Sequence, residues 1–396
     1  MKLFFLFLVL NISLFGSASV EVGKMFENSQ KCKACHLHIV NQWKESWHAK
    51  SHYANDEYFA KTIDYVKRKT RKSLNGVKVQ CATCHNPRIS VTSTGIDYEI
   101  DAVMGLDKDS DVNKALSSEN ISEGINCVVC HNIDKIHTSA DESIRGINRV
   151  EWTKSGVMSG PYEDSASPYH KVEHREFMDN KPDQLCFVCH ANDRSVSGLV
   201  FTDMKSEYKK NKKSCVDCHM GKRENGLAAT IRDTNGQRKQ RKVRTHRFEG
   251  AHTPYMWKDA LELTLTQKKN DLLIEIKNPQ PHNIPSGFGS RELVVEVIFH
   301  SKAKDVKTKI FSLTKHYTSK RNKPTIPHLA VKQSKDMSIQ ADEKKILKVN
   351  IESNSDRVDV NLYYVLVNDE VRTLLKLEEK IWSKRNFIAQ DTLKLQ

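Results

Sequence analysis

Ten cysteines form five pairs, and each pair is followed at once by a histidine. The pairs are Cys32 and Cys35, Cys81 and Cys84, Cys127 and Cys130, Cys186 and Cys189, and Cys215 and Cys218, and the histidines are His36, His85, His131, His190 and His219. Positions i, i+3 and i+4 share one face of a helical turn, so two thiols can bond the vinyl groups of a haem while the imidazole reaches its iron. This C-x-x-C-H pattern is the signature of c-type haem attachment. It predicts five covalent haems, with these histidines as proximal ligands of the iron.

Other uses of paired cysteines do not account for the histidines. A zinc site needs a second pair to complete its tetrahedron, and a thioredoxin-like redox couple needs only the two thiols. Five structural disulfides would each close a very short loop and would cross-link little of the chain. None of these alternatives requires histidine after every second cysteine, and no cysteine is left over.

The N-terminus has the order of regions found in export signals. Lys2 precedes an apolar run over residues 3–15, and small residues follow at 16–19. A run of about 13 residues is too short for a bilayer, which needs roughly 20. We predict a signal peptide over residues 1–19, cleaved after Ala18 or Ser19, and a periplasmic protein. A retained N-terminal anchor is the alternative, and peripheral association with a membrane complex stays open.

Composition narrows the classes further. The 396-residue chain carries 63 Lys and Arg against 49 Asp and Glu, a formal charge of +14, which taken alone favours nucleic acid or an anionic membrane as partner. Export argues against nucleic acid, and about ten propionates from five haems would neutralise most of this charge. The mean hydropathy of −0.59 excludes a polytopic membrane protein. The excess of basic residues is therefore interpreted mainly as counter-charge for cofactors.

The pattern changes near residue 258, after the last cysteine. Leu261, Leu263 and Leu265 alternate with polar residues, as do Leu272, Ile274 and Ile276, which predicts two strands joined by a hairpin. Further strands are predicted over 293–299, 309–313, 346–351 and 358–367, and a helix over 373–388. We therefore expect a mainly α pentahaem domain with little regular structure over residues 20–258. An antiparallel β-sandwich-like domain is expected over 259–396, for an α+β protein overall.

Several motifs together resemble a known family. The first C-x-x-C-H is followed by Gln-Trp-Lys-Glu-Ser-Trp-His-Ala-Lys at 42–50, Glu-Gly-Ile-Asn precedes Cys127, and Ser-Pro-Tyr-His stands at 167–170. Thr-His-Arg-Phe-Glu-Gly-Ala-His follows the fifth motif at 245–252. Over about residues 30–290 the chain resembles multihaem cytochromes of the c-552 and c-554 type, which are related to hydroxylamine oxidoreductase.

The resemblance implies distal ligands on the far side of each haem. It implies that His48 crosses to a later haem, with the fourth favoured, and that His137 ligates the first. His170, His246 and His252 are the next distal candidates. His282 lies in an element like the Gly-His-x-x-Pro-x-Gly of some relatives, although Pro281 stands where glycine is usual, so its role as ligand is left open. The second haem receives no distal ligand from these matches.

The other histidines are weighed from their positions. His52 and His174 have three interpretations, as ligands, as hydrogen-bond partners of ligands or as surface residues. We expect no role at iron for the remaining four. These are His38, His300, His316 and His328.

The sequence thus favours an electron carrier over an enzyme. A pentahaem cytochrome with mostly bis-histidine iron would pass electrons from a quinol dehydrogenase or another cytochrome to a terminal reductase in anaerobic respiration. The alternative is an oxidoreductase acting on nitrite, hydroxylamine or sulfite at one five-coordinate haem. A third hypothesis is a structural subunit of a respiratory complex, which would co-purify with its partners.

Overall fold

The computed structural model describes residues 28–396 except 140, 142, 143, 155, 210–212, 233–236 and 304. The predicted signal peptide lies outside the described residues. Within them, no helix combines the length and the apolar character needed to cross a membrane.

Short helices dominate the part of the chain that carries the cysteines. They are α1 (Ser29–Lys33), α2 (Leu37–Glu45), α3 (Glu57–Lys69), α4 (Leu74–His85), α5 (Ile96–Met104), α6 (Asp111–Leu116), α7 (Cys127–His131), α8 (Asp183–His190), α9 (Met204–Glu207) and α10 (Cys215–His219). Four of the five motif histidines are the last residue of their helix. In the first motif, the backbone N–H of His36 donates to Cys32 O (2.8 Å), which continues the turn beyond α1. Each motif therefore has the helical turn that places its cysteines and histidine on one face.

Two-stranded ribbons connect these helices. They are β1 (Ile133–Ile136) with β2 (Val150–Trp152), β3 (Val157–Gly160) with β4 (Lys171–His174), β5 (Asp193–Arg194) with β6 (Val200–Thr202), and β7 (Glu224–Leu227) with β8 (Gln240–Val243). The β3–β4 pair is parallel and the other three pairs are antiparallel.

Two antiparallel sheets form the C-terminal part. One has the order β14-β10-β9 and the other β13-β12-β11-β15-β16. The strands are β9 (Glu262–Lys268), β10 (Asp271–Lys277), β11 (Glu292–Ser301), β12 (Val306–Thr318), β13 (Lys332–Asp336), β14 (Lys344–Asn350), β15 (Ser355–Val365) and β16 (Asn386–Lys394). Alternate apolar residues of β10, β11 and β15 point into one shared core between the sheets, where Ile274, Val295 and Val360 are completely buried. The predicted hairpin and strands are confirmed, and so is the mixed helix and antiparallel-sheet class.

The helix predicted over 373–388 is wrong. The structure has α11 (Asp369–Leu375), which ends where Lys376 adopts a left-handed conformation (φ 55°), and then β16. β16 pairs with β15 and buries Ile388, so burial of an edge strand prevails over local helical preference.

The helical part and the sheets share one hydrophobic core. Tyr58 and Phe59 of α3 belong to the same buried cluster as Trp382 and the inner faces of the sheets. The Glu57 carboxylate accepts hydrogen bonds from the backbone of Glu378 and Glu379 and from Trp382 Nε1 (2.7 Å). Residues of the C-terminal part are thereby held against α3 of the helical part.

Candidate haem-binding site

One large cavity runs through the helical part and reaches the sheets. Its volume is about 2220 Å³, whereas pockets for one drug-sized ligand measure about 300–1,000 Å³. All five motif histidines line it. Nonpolar side chains make up much of its wall, including Val129, Val188 and Phe248. A cavity of this size and lining fits several flat apolar cofactors side by side.

Four motif histidines each face a second histidine across this cavity. The ring-centroid distances are 6.4 Å for His36 and His170, 6.2 Å for His48 and His190, 6.3 Å for His131 and His246, and 6.4 Å for His219 and His282. An imidazole nitrogen binds a transition metal at about 2.0–2.1 Å and lies about 1.1 Å from its ring centroid, so one ion between two imidazoles separates the centroids by about 6.3 Å. The four gaps match the space for one iron atom each.

Backbone carbonyls orient most of these rings. The Nδ1 atoms of His36 and His131 lie 2.6 Å from Ala228 O and 2.8 Å from Ser159 O. His219 Nδ1 likewise contacts Glu249 O. A carbonyl can only accept, so Nδ1 carries the proton and Nε2 keeps the lone pair that a metal needs.

His282 is oriented in the same way, at the margin of the sheets. Its Nδ1 lies 2.9 Å from Asn283 O. The fully buried Asn278 side chain donates to His282 O (2.8 Å) and Ile339 O (2.9 Å), which anchors the loop after β10. This anchored loop brings an imidazole of the C-terminal part to the fifth motif.

Close backbone packing positions His48. Ile125 N donates to His48 O (3.0 Å), which ties the residue to the segment just before the third motif. Gly124, at φ 61°, makes this approach feasible, because a Cβ there would lie 2.8 Å from His48 O. The Glu-Gly-Ile-Asn element therefore has a physical role in placing His48 opposite the fourth motif.

Burial keeps the facing rings neutral. Burial, followed by the charges of His190 and His219, lowers the pKa of His48 to about 3. Burial, followed by the charge of His131, lowers the pKa of His246 to about 4. A neutral imidazole is the form that binds a metal.

The motifs contact one another in an order that differs from their order in the sequence. Thiols lie within hydrogen-bonding reach between the first and third motifs (Cys32 and Cys127), the second and fourth (Cys84 and Cys189), and the fourth and fifth (Cys186 and Cys215). Ile133, just after the third motif, packs in one buried cluster with Val188 of the fourth motif, and the charge of Cys186 acts on Cys130. In space the motifs therefore follow one another as first, third, fourth and fifth, and the second motif lies beside the fourth. All ten cysteines are free thiols in the structure.

Polar groups of the cavity wall also fit haem. Arg291 Nη1 is buried and has no hydrogen-bond partner among the described residues. Arg223, Arg241 and Arg244 line the same cavity. Guanidinium groups are suitable partners for propionates. The thiols, neutral imidazoles and cations therefore match the covalent, axial and peripheral needs of c-type haem.

Three other candidate histidines are not brought to a motif histidine. His137 Nε2 pairs with Glu151 Oε1 (2.7 Å), and His170 occupies the position facing His36 that the resemblance implied for His137. His174 Nε2 lies 3.8 Å from Asp179. His52 is buried beside Tyr53, and its Nδ1 accepts from Ala54 N (3.1 Å).

His252 also lies away from the motif rings. It stacks on Trp47 (3.6 Å between centroids) and meets the edge of Trp382 (6.2 Å). Burial, followed by the charges of Arg291 and Lys50, lowers its pKa to about 2. The structure therefore places His252 in an aromatic cluster where the folded protein excludes its charged form.

Replacing His252 by Phe is expected to reduce acid destabilisation. Below about pH 6.5, His252 is protonated only in the unfolded chain. The free energy of unfolding of the wild type therefore decreases by up to about 1.4 kcal/mol for each unit by which the pH is lowered. Above about pH 6.5 this effect is absent. The His252→Phe protein keeps an aromatic ring and should lose less stability between pH 7 and pH 5 in denaturant titrations. The exposed-residue variant His38→Phe serves as control and should behave like wild type. An equal loss in His252→Phe and wild type would contradict the prediction.

Sequence reasoning missed one cavity histidine and two neighbouring side chains. His328 lines the cavity although it was assigned no role at iron, and Phe59 stacks on His85 at 4.0 Å. Arg291 reaches the cavity from the start of β11. No local pattern marks these residues, because each comes close to a motif only through long-range packing.

The comparisons with known proteins concern the fold. No protein-family model matches the chain, and no curated protein matches it. A crystal structure of a penta-haem cytochrome c552 from Thermochromatium tepidum is similar, with a TM-score of 0.69 and 18% sequence identity. The match covers 93% of this chain and 98% of that chain. The expected likeness to multihaem cytochromes c is thereby confirmed at the level of the fold.

Proposed function

From this shared fold, we propose that the protein is a pentahaem c-type cytochrome that carries electrons. The five C-x-x-C-H motifs bind five c-type haems, whose iron stores one electron each by changing valence. The observation that carries the proposal is the set of four histidine pairs, spaced for iron, around one continuous cavity. With haem bound, the two imidazoles of each pair would hold its iron and would exclude substrates from those four irons.

The spatial order of the motifs supports electron transfer through the molecule. The fourth motif neighbours the second, third and fifth, and the third neighbours the first. Backbone carbonyls fix the imidazole rings, so these ligands would move little when the charge of an iron changes. The apolar wall of the cavity keeps water away. Electrons entering at one end can therefore leave at another with little rearrangement.

The cellular role follows from the cofactor. We propose that the protein works in the periplasm after export. Its donor is a quinol dehydrogenase or another cytochrome, and its acceptor is a terminal reductase. Peripheral association with a membrane complex is compatible with this role.

A second candidate function is favoured by one observation at the second motif. Among the described residues, no histidine faces His85 at the distance seen in the other four pairs, and the aromatic ring in contact with it is Phe59. An iron open on that side could bind nitrite, hydroxylamine or sulfite. The partly exposed ion pair of Arg145 with Asp193 (2.9 Å) lies nearby, since both charges act on Cys81 and Asp193 also acts on His85.

Turnover measurements separate the two functions. The haem-loaded protein, reduced under anaerobic conditions, should be reoxidised rapidly by an oxidised cytochrome and should not consume nitrite, hydroxylamine or sulfite. Mass spectrometry of the same sample should show five covalent haems. Sustained consumption of one of these compounds would identify an enzyme, and a protein matured without covalent haem would refute both functions.

A further inference from the structure

At the second motif, no histidine among the described residues faces His85 at the spacing of the other four pairs. Phe59 stacks almost parallel on His85, with 4.0 Å between centroids and 20° between planes. Ser51 Oγ donates to the backbone carbonyl His85 O (2.8 Å). These contacts hold His85 in place, but they supply no second nitrogen.

His328 reaches the same cavity from the C-terminal part. It lies in a short 3-10 helix (Pro327–Leu329) between β12 and β13. Val196 N donates to His328 O (2.8 Å), which fixes its backbone against the segment that follows the fourth motif. The ring meets Phe201 edge-on at 4.8 Å, and Phe288 lies at 5.6 Å.

The His328 side chain has an unused nitrogen. Its Nδ1 is buried and has no hydrogen-bond partner among the described residues. Leaving a buried polar atom without a partner costs about 1–3 kcal/mol, so such an atom needs an explanation, and a bound ion or cofactor is one that suits an imidazole.

His328 is also close to the second motif. The Arg145 side chain pairs with Asp193 (2.9 Å), three residues before Val196, and Gly146 beside Arg145 packs directly against the second motif. The charge of His328 also acts on His85. The other candidates are held elsewhere: the His52 ring accepts from Ala54 N, and the His252 ring, whose buried Nδ1 is also unpaired among the described residues, is stacked on Trp47. Of the cavity histidines outside the four pairs, His328 is therefore the one that the contacts connect with His85.

We propose that His328 is the distal ligand of the haem at the second motif. This assignment rests on the proposed binding of five haems. The C-terminal sheets then supply two ligands, His282 and His328, to two different haems. Folding of the sheets against the helical part thereby completes the coordination of the second and fifth irons, and all five irons are six-coordinate.

The test is electron paramagnetic resonance of the oxidised holoprotein, with spins counted against a haem assay. The wild type should show low-spin haem only, whereas His328→Ala should show one high-spin haem in five, and added imidazole should restore the low-spin state. His252→Ala removes another histidine of the same cavity and should leave every haem low-spin. Mass spectrometry establishes that each variant carries five haems.

Each other outcome overturns the assignment. A wild-type high-spin haem unchanged in His328→Ala would mean an open second iron, and turnover of nitrite or hydroxylamine by that protein would also refute the carrier function. Wild type and His328→Ala that are both entirely low-spin would refute His328 as ligand and leave the carrier function intact.

A second variant tests the assignment in case the His328→Ala protein does not fold. His328→Met offers a thioether ligand and should raise the reduction potential of one haem in five, because methionine ligation favours the reduced iron. A redox titration identical to that of the wild type would contradict the assignment.

Discussion

A protein in which serines replace Cys127 and Cys130 is expected to bind four haems and to lose fast exchange between the first haem and the others. The third motif lies between the first motif, which it meets through Cys127, and the fourth motif, whose Val188 packs with Ile133. Removing its haem leaves a gap within the chain of cofactors. Reduced variant mixed with a protein-sized oxidant should lose its electrons in two phases, with about one quarter of the haem absorbance in the slow phase.

The fifth motif provides the matched control. Replacing Cys215 and Cys218 by serine also removes one haem. The fifth motif, however, lies at the end of the spatial order of the motifs, next to Cys186. The remaining four haems stay contiguous, so oxidation should remain a single fast phase. Equal kinetics in the two double variants would contradict the deduced order of the motifs.

His48→Ala is expected to convert one haem in five to the high-spin form while all five remain attached. His48 faces His190 at 6.2 Å, and attachment depends on the cysteines rather than on the distal ring. Because the fourth motif adjoins three others, the altered haem should also slow electron transfer through the whole protein. Electron paramagnetic resonance, stopped-flow kinetics and a mass measurement on one sample test these effects together.

His38→Ala is the control for this variant. His38 is exposed and lies two residues beyond His36, so its loss should change neither the spin state nor the kinetics. A His48→Ala protein that stays entirely low-spin would show that another side chain binds the fourth iron.

The sequence alone determined the parts of this protein that are local. A C-x-x-C-H motif occupies five consecutive residues, and one helical turn is enough to place its three reactive side chains together. Strand β10 was also predictable from the sequence, because burial of every second residue places apolar residues at a period of two. The resemblance also named His48, His170, His246 and His282, which the structure places opposite motif histidines.

Tertiary structure decided what depends on distant segments. His137 and His252 lie near motifs in the sequence, yet packing directs one to Glu151 and the other to Trp47. His328 stands far from any cysteine and has no recognisable pattern, but the contact of its segment with Val196 carries it to the cavity. A distal ligand can come from any part of the chain that packs against the far face of a haem. Long-range packing and backbone hydrogen bonds, rather than local residue spacing, therefore choose the partner of each iron.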